Sequence, residues 1–134
     1  MQKYEIRDIS LAPSGHQKIE WVRNNMPLLA GLEEEFRQSR PFEGIKISLS
    51  VHLEAKTAYL CLVLAAGGAQ MSVTGSNVLS TQDDVAAALA DSGLSVYAYH
   101  GATAEEYDRH IEMCLSHKPN IIIDDGGDLV GMLH

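Results

Sequence analysis

Ile45-Lys46-Ile47-Ser48-Leu49-Ser50-Val51-His52-Leu53-Glu54-Ala55-Lys56-Thr57-Ala58-Tyr59-Leu60-Cys61-Leu62-Val63-Leu64-Ala65-Ala66 changes character part-way along. Residues 45–49 read as a short buried strand, and residues 52–66 as a helix apolar around much of its circumference, which its surroundings must cover. Three ionisable side chains, His52, Glu54 and Lys56, crowd the join between them. Ligands of open parallel sheets bind outside the carboxyl ends of the strands, so this junction is the first candidate site.

Three more β-rich segments follow the first, at residues 69–74, 94–99 and 120–123. The spacing is about 25 residues, enough for a helix to cross over and return to a parallel neighbour. Helical stretches at 82–91 and 104–116 fill the remaining gaps, and two helices at 14–24 and 27–40 precede the sheet. The pattern predicts a doubly wound α/β fold with a mainly parallel sheet of about four strands, flanking helices and two N-terminal helices. Local chemistry sets the boundaries. Thr81 is placed to cap the second crossover helix, Thr103 with Glu106 forms a capping box for the third, Gly67 and Gly93 supply stops, and Pro27 stands at a tolerated early position. Glu33, Glu34 and Glu35 read as a charged outer face.

With 134 residues, 46% of them hydrophobic, the chain has material for one core, and residues 1–134 read as a single domain. The start lacks the apolar stretch of a signal peptide, and the longest apolar run, residues 58–66, is too short to span a bilayer, which predicts a soluble cytoplasmic protein with no membrane partner. A formal charge of −8 without a basic patch argues against nucleic acid. Cys61 and Cys114 lack C-x-x-C spacing and read as buried free thiols.

The predicted strand ends gather Ser48, Ser50, His52 and Glu54 at the first junction, Thr74, Ser76 and Asn77 at the second, and His100 at the third. The fourth offers Asp124-Asp125-Gly126-Gly127-Asp128, where glycines permit a tight turn and carboxylates stand ready as bases or acceptors. Each residue type leaves alternatives open. Glu54 serves the helix dipole as readily as a ligand, the aspartates fit a structural turn or a divalent cation, and Asn77, Ser80 and Thr81 fit a turn. No EF-hand, G-x-G-x-x-G or Walker pattern occurs, so neither a metal nor a cofactor site is assigned to this chain.

Taken together, Asp8-Ile9-Ser10-Leu11-Ala12, Asn25-Met26-Pro27, the run from Ser50 to Ala58, Asn77-Val78-Leu79-Ser80-Thr81-Gln82-Asp83 and Asp124-Asp125-Gly126-Gly127-Asp128 closely resemble the S-adenosylhomocysteine hydrolases. The resemblance runs along almost the whole chain and corresponds to the first part of that family's substrate-binding domain. It implies an enzyme whose tightly bound NAD oxidises the ribose 3′-hydroxyl, acidifying the 4′-proton. Homocysteine then leaves by elimination, water adds, and hydride returns. His52 and Asp125 match the positions the resemblance assigns to proton transfer, Thr57 a position at the substrate pocket, and Asn77 and Asp128 motifs near the homocysteine side. The family's remaining catalytic residues and its NAD-binding domain would lie beyond His134, so this segment alone is expected to be inactive. A homotetramer is implied for the full-length enzyme. The rival reading is a non-catalytic nucleoside-binding or regulatory module on the same scaffold.

One departure bears on the substrate. Glu54 and Lys56 stand where familiar members of that family have Thr and Glu against the purine edge. Adenine presents a 6-amino donor and a ring-nitrogen acceptor. Hypoxanthine reverses both, which a Lys donor and a Glu acceptor match, so S-inosylhomocysteine stands as the second substrate reading beside the preferred S-adenosylhomocysteine. The alternative is a Glu54/Lys56 ion pair at the helix start, with adenine held differently.

Overall fold

The computed structural model describes residues 4–124. Its elements run β1 (Tyr4–Ile6), a 3-10 turn (Ile9–Leu11), α1 (Ala12–Asn25), α2 (Pro27–Ser39), β2 (Lys46–Val51), α3 (Ala55–Ala66), β3 (Gln70–Gly75), α4 (Asp83–Asp91), β4 (Ser95–Ala98), α5 (Ala104–Leu115) and β5 (Ile121–Asp124). The strands form one sheet in the order β1-β4-β3-β2-β5, parallel at every pairing. The α/β architecture and the two N-terminal helices are as the sequence predicts.

The sheet has five strands rather than about four, because β1 adds to the edge beside β4. Three residues are too few to show a period, and β1 is instead held from outside. The Glu5 carboxylate accepts from the Tyr99 hydroxyl at 3.1 Å and from His110 Nε2 at 3.2 Å, and it pairs with Arg109. The Arg7 guanidinium lies 4.3 Å from the centre of the Tyr99 ring.

The two faces of the sheet are chemically different. Ile47, Leu49, Met71, Val73, Val96 and Ala98 join Tyr59, Cys61 and Val63 of α3 and Val85 and Leu89 of α4 in the main core. Each fully buried Val, Leu, Ile or Met among them contributes on the order of 1.5–3 kcal/mol. On the opposite face Ser48, Ser72 and Thr74 are buried, and α5 packs there through Ile111 and Cys114 against Tyr97. Ser48 donates to the Cys114 carbonyl at 2.6 Å, and the Cys114 thiol donates to the Ser72 carbonyl at 3.2 Å. Both cysteines are free and buried, and burial pushes their thiols up, Cys61 to about 12 and Cys114 to about 11.

Helices α1 and α2 form an outer layer over α3 and α4. Gly15 makes the close approach possible, since a Cβ there would stand 1.9 Å from the Asp84 carbonyl oxygen. Ser14 donates to Asp84 at 2.7 Å and Lys18 pairs with it at 2.8 Å, so α1 is pinned to the first turn of α4.

Three local expectations change. The first crossover helix begins at Ala55 rather than at 52, because Glu54 takes the capping position. Thr81 does not cap α4; its hydroxyl donates to the Asn77 carbonyl at 3.0 Å, which leaves Gln82 as an N-cap without a side-chain bond. Glu33 turns inward from the charged face of α2. Its carboxylate accepts from Tyr59 at 2.8 Å and from Arg23 at 3.1 Å, with Arg37 at 3.3 Å. The Thr103/Glu106 capping box forms, Gly67 caps the end of α3 with Gly68 taking the left-handed turn after it at φ +98, and Gly93 follows the end of α4 at φ +99.

Burial pushes the Glu33 carboxyl up, but hydrogen bonds from Arg23 and Tyr59 and the charges of Arg23 and Arg37 outweigh it and hold the group below its ordinary 4.5. A depressed carboxyl contributes stability that is present above the unfolded-state value and lost as pH falls through the folded one. Glu33→Gln is therefore expected to cost about 1–3 kcal/mol near neutrality and to flatten the acid limb, read from urea midpoints between about pH 7 and pH 3. An unchanged acid limb would place the titration elsewhere.

Candidate functional site

The order of the strands fixes where a ligand can enter. From β2 the chain moves through α3 to β3 and through α4 to β4, then returns by α5 across the opposite face to place β5 on the far side of β2. The topological switch point is thus the carboxyl ends of β2 and β5, where Ser50 pairs in register with Asp124. His52 follows β2 directly. Asp125 and Asp128 lie outside the described residues.

Two turns build the site. In the first, the Glu54 amide donates to the His52 carbonyl at 3.0 Å, and Glu54 Oε1 accepts from the Thr57 amide at 2.9 Å and its hydroxyl at 3.3 Å. Glu54 therefore caps α3, one carboxylate oxygen is committed to Thr57, and no ion pair joins Glu54 to Lys56. In the second, Asn77 Oδ1 accepts from the Leu79 amide at 2.9 Å, while the Asn77 carbonyl accepts from the Ser80 hydroxyl at 3.1 Å as well as from Thr81. Gly75 lets this loop fold beneath the strand end, since a Cβ there would meet Thr81 Oγ1 at 2.5 Å. The Gln82 amide donates to the Leu53 carbonyl at 3.0 Å and ties the two turns together.

His52 Nδ1 lies 2.6 Å from Ser80 Oγ. The Ser80 hydroxyl donates in turn to the Asn77 carbonyl, so Nδ1 is the donor of this bond and Nε2 is the ring nitrogen left without a protein partner. His100 is oriented the same way, its Nδ1 donating to the Thr81 carbonyl at 2.9 Å and its amide to Asp83 at 2.9 Å. Both rings border a cleft of about 790 Å³, which Glu54, Ser80, Asp83 and Lys18 also line. Lys56 borders a smaller cleft of about 330 Å³ that shares Lys18, Glu54 and Gln82 with the larger. Asn77 lines a third, of about 400 Å³, with Thr103 and Tyr107 on the α5 side. Thr57 borders none of these three clefts, and its amide and hydroxyl donate to Glu54 Oε1.

Sequence reasoning missed Lys18 and Gln82. Lys18 Nζ donates to Gln82 Oε1 at 3.2 Å and pairs with Asp84. Burial pushes the Asp84 carboxyl up, but the bonds from Lys18 and Ser14 and the Lys18 charge hold it below the ordinary carboxylate range. Nothing in the sequence links α1 to α4 across that distance except a glycine at Gly15. Among the described residues no group of three or more His, Cys, Asp or Glu side chains is placed to hold a metal, and no helix is long and apolar enough to cross a membrane.

A crevice at the carboxyl ends of β2, β3 and β4, bordered by His52 and His100, defines an α/β protein built to bind a small molecule. The family follows from comparison. The model for S-adenosyl-L-homocysteine hydrolase matches residues 3–134, and the chain belongs to that family. It is 52% identical over 132 residues to the S-inosyl-L-homocysteine hydrolase of Methanopyrus kandleri, covering 98% of this chain and 31% of that protein. It is equally 52% identical over 131 residues to the adenosylhomocysteinase of Pyrococcus abyssi, again 98% and 31%, and 51% identical to that of Gloeothece citriformis over 132 residues. The chain thus spans 31% of the length of these relatives.

Proposed function

We propose that this chain is the first part of the substrate-binding domain of a cytoplasmic, NAD-dependent hydrolase that splits a nucleoside thioether, S-adenosylhomocysteine or S-inosylhomocysteine, into nucleoside and homocysteine. The observation that carries the reading is His52, which follows β2, borders the crevice and is held through Nδ1 by Ser80, leaving Nε2 as its unengaged ring nitrogen. That posture suits a group that takes a proton and returns it. Asp125, one residue beyond the end of β5, is its partner in proton transfer, and Asn77 and Asp128 serve the homocysteine side. Thr57 acts from behind, holding Glu54.

The described residues do not fit the dinucleotide itself. Crossover helix α3 is capped by Glu54, α4 opens with Asp83 and Asp84, and α5 opens with Glu105 and Glu106. Carboxylates at all three helix N-termini oppose a pyrophosphate, and no glycine fingerprint follows a strand. NAD is therefore assigned to residues other than those described, and its oxidation chemistry with them. This chain by itself binds without turnover, and the homotetramer belongs to the whole enzyme.

For the base, the absence of a Glu54–Lys56 pair favours the edge-reading role. Oε1 of Glu54 is spent on Thr57, Oε2 stands as an acceptor, and exposed Lys56 stands as a donor. This set matches the ring N–H and 6-oxo group of hypoxanthine, and a mismatched buried edge costs on the order of 1–3 kcal/mol. Equal identity to relatives bearing either substrate name leaves the choice to these side chains. In the full-length protein we expect a higher kcat/KM for S-inosylhomocysteine, and the pair Glu54→Thr with Lys56→Glu should move the preference toward adenine by about 5- to 100-fold. A strong adenine preference in the unaltered enzyme would sink the inosine assignment.

A further inference from the structure

Trp21 on α1 is 65% exposed, yet it does not face open solvent alone. With Val22 and Ala55 it forms the apolar side of the 330 Å³ cleft, whose polar rim is Glu54, Lys56 and Gln82. We infer that Trp21 is the stacking face of the purine pocket: the base lies on the indole with its polar edge toward Glu54 and Lys56, and the ribose extends into the adjoining cleft toward His52. This rests on the nucleoside reading above.

The two clefts differ as base and sugar differ. The smaller combines a flat aromatic surface and aliphatic carbon with one charged rim, whereas the larger is bordered by His52, Ser80, Asp83 and His100, groups suited to hydroxyls. Their shared walls at Lys18, Glu54 and Gln82 let one ligand lie across both. An indole suits any purine, because every base has a π-face, so Trp21 supplies affinity while Glu54 and Lys56 supply the choice of base. The platform is also rigid. Helix α1 is fixed to α4 by the Gly15 approach and by the bonds from Ser14 and Lys18 to Asp84, so the indole is presented by a packed helix and not by a loop.

The test uses the NAD-loaded full-length protein with Trp21→Ala and Trp21→Phe, titrated with inosine, adenosine and base-free methyl ribofuranoside. Trp21→Ala is expected to weaken both nucleosides about 10- to 100-fold and raise KM accordingly, with kcat within about 3-fold; Trp21→Phe should stay within about 3-fold on all counts. Binding of the ribofuranoside should not change. The emission difference between wild type and Trp21→Phe isolates this indole, and inosine should quench it saturably. Nucleoside binding by Trp21→Ala as tight as wild type would overturn the inference while leaving the function standing. So would an equal loss for the base-free sugar, which would make the indole merely structural. Failure of the wild type to bind any nucleoside would instead overturn the function, and this inference with it.

Discussion

His52→Ala in the NAD-loaded full-length protein is expected to lower kcat by on the order of 10²–10⁴-fold while leaving KM within a few-fold, the span ordinarily contributed by a positioned acid–base group. The reason lies in the geometry. Nδ1 is engaged by Ser80 at 2.6 Å, so the ring has one proton-accepting nitrogen, and the Ser80–Asn77 bond decides which. His52 is one of ten residues lining the cleft, so its truncation is expected to affect proton transfer more than binding. Ser80→Ala should produce a smaller loss, because the ring keeps its place after β2 but loses the group that selects its tautomer. Single-turnover kinetics separate proton transfer from binding and release. A His52→Ala enzyme with unchanged kcat would remove His52 from the chemistry.

Gly15→Ala is expected to be the most damaging small substitution in the described structure. The added methyl would stand 1.9 Å from the Asp84 carbonyl oxygen, 2.6 Å from its carbon and 2.8 Å from the Ala88 Cβ. Two of these three are backbone atoms within or at the start of a buried helix, so the clash is relieved only by lifting α1 away from α4. Overpacking of this kind costs about 3 kcal/mol or more, which at this chain length lowers Tm by roughly 10 °C. Thermal and urea unfolding read the effect directly. A second consequence follows from position: Lys18 and Trp21 ride on the same helix, so what remains folded should also bind nucleoside more weakly. A variant with wild-type Tm would show that the two helices are not in this contact.

The parallel crossovers were legible because apolar runs and helix-length gaps repeat, and β2 to β5 fall within two residues of the predicted spans. Strand β1 was not, because Tyr4-Glu5-Ile6 carries no period and is held by Tyr99, Arg109 and His110, about 100 residues away. Glu33 read as a surface charge since nothing local reveals Arg23 and Tyr59 closing around it. His52 was found because chemistry at a strand end is a positional rule. Trp21 was not, because an outward indole on an N-terminal helix is indistinguishable in sequence from one that borders a crevice. Glu54 carried two readings, helix cap and ligand contact, and its two oxygens allow both at once.

The carboxylates at the starts of α3, α4 and α5 bear on which metabolites this crevice admits. A nucleoside thioether carries no phosphate, and a nucleoside phosphate shares its base and sugar. At an ordinary helix start, the dipole and free amides would favour the phosphorylated relative. Here Glu54, Asp83 and Asp84, the last paired with Lys18, line the crevice and weaken that preference for an anion, on a chain already at −8. A phosphate on the nucleoside would meet like charge at these helix starts, so they suit the uncharged nucleoside better than its phosphate.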